Sequence, residues 1–452
     1  MTSNSECYVY IHLPGRVDAI TAGKYRLEIN HDGTKVGRFI YGRHYLAHPE
    51  RVDLDPVELR IGAREFATAK MGGIFGALRD ASPDYWGRKL IAKRLAVAEP
   101  SELDYLLNSP DDRAGALGFG LNPTPPAPVR WFNRTLDLER LVAFADQLIL
   151  AENDPSAPKP DDADDAQMEQ LLRRGSTAMG GARPKATVED DGHLWLAKFP
   201  QRDDPWNNPR VEHAMLALGR ECGLSCAETR VVTVGVKDVL LVKRFDRDPA
   251  EDGGYVRSRL ISALTLLGAG ETGDRTRWSY LLLADELRRH TGRDANLTEL
   301  YRRVCFNALI SNTDDHPRNH APIARQRDWS LSPAYDLTPN PMVAQERRDL
   351  AMTFGDWGRH ANRANLLSQC HRFLLSREDA TRIVDEMAAA VTMNWYSVAR
   401  KAGVSELDCE RIRGAFVYEG FGYDLAVRDA DALDDGLWAE AQQRDDDSVP
   451  SA

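Results

Sequence analysis

No apolar run in the chain approaches the roughly 20 residues that a membrane-spanning helix needs. Basic residues are also short: 58 Lys and Arg stand against 69 Asp and Glu, for a formal net charge of -11. A free-standing nucleic-acid binder needs a surplus of clustered cations, so that class is excluded, while a local basic patch is not. Cysteine is sparse, with Cys7, Cys222, Cys226, Cys305, Cys370 and Cys409 scattered along the chain. The one close pair is spaced C-x3-C, with no histidine or second pair at zinc-site spacing, which reads as reduced thiols in a cytosol. The polar N-terminus lacks the basic-then-apolar order of a signal peptide, and no internal repeat is visible.

What remains is the composition of a globular protein, 42% hydrophobic and 28% charged, and 452 residues are enough for two or three subdomains. Alternation in 8–13, and in 25–29 and 36–41 around the His31-Asp32-Gly33 turn, predicts an opening β unit. Ser82 followed by Pro83 predicts a capped helix that closes it. Leu138, Leu141, Val142, Ala145 and Leu148 give an amphipathic helix over 138–150, and an acidic, Pro-rich connector runs from Glu152 to about Asp165. Two hairpins are predicted next. The first turns at Asp191-Gly192 and sets Lys198 opposite Pro184 and Lys185; the second joins 230–234 to 239–245. A helix over 210–222, carrying Glu212, lies between them. Beyond Asp246 the pattern is helical, over 280–290, 297–311, 377–395 and 406–416, with Ser376 and Ser405 as caps.

The chemistry concentrates in Asn312-Thr-Asp-Asp-His-Pro-Arg-Asn319, with Ser332-Pro-Ala-Tyr-Asp336 shortly downstream. Carboxylates, a histidine and amides so placed suit a metal-bound phosphate, and hard oxygen ligands favour Mg²⁺ over zinc. Asp314 and Asn319 stand five apart, the separation of Asp and Asn in the H-R-D-x-x-x-x-N catalytic loop, and Asp336 supplies a second metal ligand. Asx-turn capping by Asn312 and Asp315, or a hydrolytic metal site using Asp314, Asp315 and His316, are the competing readings. Upstream, Gly180-Gly181 can bring backbone N–H groups to phosphate or simply make a tight turn. Ala182-Arg183 stands where a Walker loop needs Lys and then Ser or Thr, so that NTPase class is disfavoured. Lys198, in a strand of Leu, Trp, Ala and Phe, is either an edge charge or a phosphate-bridging lysine held by Glu212. The order of glycine loop, strand lysine and helix glutamate is that of a kinase N-lobe.

Four longer motifs carry a specific likeness. Ser-x-x-x-Gly-Gly-Ala-Arg-Pro-Lys-Ala, Val-Lys-Arg-Phe-Asp-Arg, Asn-Thr-Asp-Asp-His-Pro-Arg-Asn-His and Leu-Ser-Pro-Ala-Tyr-Asp-Leu together resemble the HipA family of serine/threonine kinases, the toxins of HipBA-type toxin–antitoxin modules. The likeness runs from about residue 8 to 420 and takes in Phe39-Ile-Tyr and Asp80-Ala-Ser-Pro-Asp of the first subdomain. It implies an α+β, protein-kinase-like two-lobed fold: an N-terminal β-rich subdomain (1–105), a nucleotide-binding lobe (106–245), a helical catalytic lobe (246–440) and a disordered tail (441–452). It implies ATP and Mg²⁺ as cofactors, Asp314 as catalytic base with His316 near the γ-phosphate, and Asn319 and Asp336 on the metal. Lys198, held by Glu212, would meet the ATP phosphates, with Gly180, Gly181 and Lys185 in the phosphate loop. Lys243 and Phe245 would hold adenine through their backbone and Asp246 the ribose, with Tyr335 also at the nucleotide site. The implied partners are a helix-turn-helix antitoxin, DNA only through that antitoxin, and a protein substrate of the aminoacyl-tRNA synthetase class. A nucleotide-binding scaffold without turnover, acting with the antitoxin in autoregulation, is the alternative. Many relatives carry an autophosphorylated serine seven residues before the loop lysine. Ala178 stands there in this chain, which leaves Ser176 as the candidate or self-inactivation as lost.

Overall fold

The opening β unit is a five-stranded antiparallel sheet in the order β4-β3-β2-β1-β5, in a computed structural model that describes residues 5–97, 99–129, 132–153, 183–251, 253–271 and 275–425. Its strands are β1 (Glu6–His12), β2 (Ala19–Ile29), β3 (Lys35–Tyr41), β4 (Glu65–Thr68) and β5 (Leu117–Gly120). The alternating residues Val9, Ile11, Tyr25 and Phe39 are all fully buried, as period-2 patterning requires. Because β5 pairs with β1, this sheet draws on chain beyond residue 105. The sheet tolerates no side chain at Gly37, whose added Cβ would lie 1.7 Å from the Gly73 carbonyl oxygen, itself an acceptor for Tyr25 Oη at 2.6 Å. Gly37→Ala is therefore expected to cost roughly 1–3 kcal/mol. An unchanged denaturation midpoint would mean that the Lys70–Gly73 turn moves aside without cost.

The expected helix cap shifts by two residues. Asp84, not Ser82, accepts the Gly87 N–H at 2.8 Å and starts the helix Tyr85–Leu95. Arg88 takes the other two candidates, bonding Ser82 Oγ at 3.1 Å and the Pro83 carbonyl at 3.1 Å. Asp84 then has an oxygen left for another partner, described below.

A second five-stranded sheet, in the order β6-β7-β8-β10-β9, follows. It comprises β6 (Asn133–Arg134), β7 (Lys185–Asp190), β8 (His193–Lys198), β9 (Thr229–Val234) and β10 (Lys237–Lys243). Both predicted hairpins form, and Lys185 pairs with Lys198 in the expected register. Trp195, Ala197 and Phe199 pack with Leu138, Leu141, Val142 and Ala145 of the helix Leu138–Asn153. On the other face, Leu196, Leu240 and Val242 meet Phe245 and Tyr335. The alternation of β8 thus gives one face to the lobe's own core and the other to the interlobe cleft. Gly180, Gly181 and Ser176, the connector beyond Asn153 and the 441–452 tail lie outside the described residues.

The C-terminal lobe is built on the helix Ala295–Leu309, packed between Tyr280–Thr291 and Arg377–Lys401. Leu300, Val304, Ala308 and Leu309 are all fully or nearly fully buried. Ser376 and Ser405 cap their helices as expected, each accepting the N–H of the aspartate three residues on. The lobe also carries two small sheets that helical periodicity does not announce. One pairs β11 (Arg247–Pro249) with β12 (Tyr255–Arg257); the other orders β13 (Arg259–Leu260), β14 (Pro322–Ala324) and β15 (Ser330–Leu331). Strands of two or three residues are too short for a period to show. No described helix is long and apolar enough to cross a membrane.

Candidate active site

A cavity of about 520 Å³ opens between the two lobes. Leu196, Leu240 and Val242 give it an apolar wall from the second sheet, while Asp314, His316, Asn319 and Asp336 line the opposite side. Lys198 crosses between them. Its Nζ lies 2.7 Å from Glu212 Oε1, on the helix Asn208–Glu221, and 2.8 Å from Asp336 Oδ1. Burial alone would lower the Lys198 pKa, but Asp336 and Glu212 outweigh it and the ammonium is held above its ordinary range. The two carboxylates respond in opposite directions. Lys198 pulls Asp336 down to about 2, whereas burial raises Glu212 against the same cation. Neighbouring charges add to the difference, since Lys185 and His316 also favour the Asp336 carboxylate while Asp336 itself disfavours that of Glu212.

Lys185 enters the cleft from the register position opposite Lys198. It is almost fully buried, and its Nζ sits 3.0 Å from Asp84 of the first subdomain. From the same segment, Asp80 accepts Ser262 N–H at 2.7 Å and Ser262 Oγ at 2.8 Å, and faces Arg318 of the 312–319 loop at 3.4 Å. Asp80-Ala-Ser-Pro-Asp84 therefore braces both lobes at the cleft. In the sequence this motif stands out only as part of the family likeness. The signal it carried was two aspartates flanking a proline, with no local helix pattern needing both.

Asp314 is exposed at the mouth of the loop that follows Ala295–Leu309. Asn319 Nδ2 donates to its backbone carbonyl at 3.3 Å, which leaves the Asn319 amide oxygen for another partner. Beneath the loop Asp315 is fully buried and faces inward. It accepts Asn307 Nδ2 at 2.5 Å, bonds His320 Nε2 at 2.8 Å and takes the Tyr280 hydroxyl. Asp315 does not line the cleft, and its Oδ2 carries all three bonds, which suits an anchor beneath the loop better than Asx capping or a hydrolytic metal site. Among the described residues no group of three or more His, Cys, Asp or Glu could hold a metal. Asp336 and the Asn319 amide oxygen are the kind of hard-oxygen pair that suits a Mg²⁺ ion when most of its shell is water and substrate phosphate.

Asp336 follows a strapped segment. Tyr335 Oη donates to the Arg318 carbonyl at 2.7 Å, its ring lies 5.6 Å from that of Phe245, and Ala334 N–H bonds the Ser225 carbonyl at 2.7 Å. The segment leaves Asp336 at φ +60°, a left-handed conformation that Asp and Asn adopt more readily than other L-residues. His316 lines the cleft edge-on to Trp278, and its buried Nδ1 has no partner among the described residues, as a ligand-facing nitrogen would.

Asp246 is the expected site residue that the structure places elsewhere. It is fully buried and away from the cleft, between Arg244 (2.9 Å) and Arg247 (2.8 Å), with Gly115 N–H bonding it at 2.9 Å. A carboxylate held by two guanidiniums and a backbone donor has no accessible oxygen for a ribose. Lys243 and Phe245 do line the cleft, but Lys243 N–H is used by the Glu228 carbonyl at 2.8 Å, and the Phe245 carbonyl accepts Arg325 at 3.1 Å.

Partial loss of water around the Asp314 carboxyl at the cleft raises its pKa, His316 opposes the rise, and Asp336 and Asp315 add to it. Were Asp314 to serve as a general base it would have to be ionised to accept a proton, and the acid limb of kcat/KM would then be expected above the ordinary carboxylate range. His316→Gln removes the opposing influence and is expected to move that limb to higher pH. A limb that stays in place would remove His316 from the electrostatics of Asp314.

A family model described as the HipA-like C-terminal domain matches residues 177–395. The putative kinase Y4dM of Sinorhizobium fredii is 29% identical over 163 residues, 33% of this chain; the match spans 38% of that relative's length. Among solved structures, HipA of Shewanella oneidensis, in a complex described as HipA, HipB and its operator DNA, superposes with a TM-score of 0.62. That match covers 90% of this chain and 94% of HipA at 16% identity, a likeness of fold. The chain thus carries a HipA-like C-terminal domain at residues 177–395 within a two-lobed, kinase-like fold that it shares with HipA over nearly its whole length.

Proposed function

We propose that this protein is an ATP-dependent serine/threonine protein kinase acting as the toxin of a HipBA-type module. The observation that carries the reading is Lys198, bonded at once to Glu212 and Asp336 across from Asp314 and Asn319. In phosphoryl transfer the protein mainly positions groups and stabilises charge. Lys198, fixed by Glu212, would contact the nucleotide phosphates, and Lys185 adds a second cation. Asp336 and Asn319 would hold Mg²⁺, which supplies charge neutralisation between the phosphates when bound. Asp314 would orient the acceptor hydroxyl and take its proton. The raised Asp314 pKa brings it closer to that of a group that must accept a proton.

A helix-turn-helix antitoxin and an aminoacyl-tRNA synthetase substrate belong to the same proposal. They are supported by the family and by the HipB-bound state of the Shewanella structure. The intact set of Lys198, Glu212, Asp314, Asn319 and Asp336 favours turnover over a silent scaffold, which has no use for all five. The test is a phosphoproteomic comparison of cell lysate treated with the native protein and with Asp314→Asn. New phosphoserine or phosphothreonine in the native sample alone supports the reading. ATP binding without any transfer would assign the scaffold role, and free phosphate without labelled protein would assign a hydrolase.

A further inference from the structure

A second cavity, of about 550 Å³, lies on the other side of β13. It forms where chain 49–61 of the first subdomain meets the end of the helix Tyr280–Thr291 and the β14–β15 hairpin. Adjacent residues of one strand serve the two cavities: Leu260 lines the interlobe cleft and Arg259 lines this one.

The lining is strongly basic for a chain whose net charge is -11. Arg51, Arg60, Arg259, Arg289, Arg327 and His290 all face the space. Asp53 is the carboxylate in the lining, and its Oδ1 accepts the Ile61 N–H at 2.5 Å. Glu286 nearby pairs with Arg289 at 2.7 Å and His290 at 3.3 Å. The other four arginines bond neutral backbone carbonyls: Arg51 to His48, Arg60 to Pro56, Arg327 to Pro49, and Arg259 to Asp53, Gln326 and Arg327. Carbonyls orient a guanidinium without neutralising it.

Arg259 is the sharpest case. It is 4% exposed, its guanidinium lies 4.9 Å from the Trp329 ring centroid, and its buried Nε has no hydrogen-bond partner among the described residues. Asp53 is the carboxylate that acts on this cation, and one carboxylate against Arg51, Arg60, Arg259 and Arg327 leaves an excess of positive charge beside an unused buried donor. Guanidinium forks match phosphate oxygens two at a time, and a cavity the size of the interlobe cleft has room for more than a simple ion.

We propose that this cavity is a second ligand site that binds a phosphorylated small molecule of nucleotide size, its phosphates held by Arg259, Arg60 and Arg327. The proposal does not depend on the phosphotransfer reading of the first cleft.

Calorimetric titration of the full chain with pyrophosphate and with ADP, without Mg²⁺, tests it. Arg259→Gln removes the central cation. The double variant Arg60→Ala/Arg327→Ala removes two exposed ones and leaves the packing intact, and Lys198→Ala disables the interlobe cleft. Expected is binding that survives Lys198→Ala and weakens by at least about tenfold in both arginine variants, with circular dichroism unchanged in the double variant. A gain of ADP over pyrophosphate would assign a nucleotide, and equal binding a phosphate group alone. Three results would overturn the proposal: no binding by the native chain, loss with Lys198→Ala but not with the arginine variants, or tighter binding of a single-stranded oligonucleotide than of either probe.

Discussion

Asp314→Asn is expected to lower phosphoryl transfer by about 10²- to 10⁴-fold, the range for removing a positioned general base, while leaving the melting curve unchanged. The amide has the shape of the carboxylate but cannot accept the proton of an acceptor hydroxyl. The fold should not notice the change. Asp314 is exposed, and the contact it gives Asn319 is made by its backbone carbonyl, which the substitution keeps. Asp315, which anchors the loop from below, is untouched. The measurement is initial-rate transfer from labelled ATP at saturating nucleotide, paired with thermal unfolding. Native turnover in the variant would show that another group takes the proton, and a lost melting transition would move Asp314 from chemistry to structure.

The second large effect is structural. Asp246→Asn is expected to cost roughly 3–5 kcal/mol of stability, because it leaves Arg244 and Arg247 buried without their shared counterion. Asp112 also meets Arg244, but Arg247 has no such second carboxylate among its described ion pairs. Although burial opposes ionisation, Arg244 and Arg247 hold the Asp246 carboxyl well below the usual carboxylate range. The sign follows from that depression. The stabilisation is fully present above the unfolded value near ~3.9 and fades as pH falls through the folded one, so native and variant chains converge in acid. Urea unfolding at neutral and acid pH measures this. The folded fraction of the variant should bind an ATP analogue as the native chain does, and normal stability with weakened nucleotide binding would return Asp246 to a ribose contact.

The contrast between these two aspartates shows what could be read from sequence. Asp314 was legible because its relation to Asn319 is local: five residues along one loop fix the geometry. Lys198 was legible because a lysine in an apolar strand demands a partner, and Glu212 lies on the next helix. Asp246 was not, because what removes it from the cleft lies more than a hundred residues earlier: Asp112, toward which its partner Arg244 turns, and Gly115, whose N–H donates to Asp246 itself. The bracing role of Asp80 and Asp84 was hidden for the same reason, since their partners Arg318, Ser262 and Lys185 are distant in sequence. Long, periodic elements were readable throughout. The two- and three-residue strands around Arg259 were not, and the basic cavity they help to line had no motif to announce it.

The backbone at Asp336 has a consequence for how substitutions there should be interpreted. Its φ of +60° is a shape that most side chains resist, so the position couples what the residue coordinates to whether the turn can form at all. In a saturation scan, Asn and Gly keep the turn and report only on the missing carboxylate. Alanine, glutamate and the β-branched residues also force the strapped segment Ala334-Tyr335, bonded to Ser225 and Arg318, to readjust. An alanine scan would therefore overstate the ligand role of this position, and Asn, the same shape with one oxygen exchanged for nitrogen, is the substitution that isolates it.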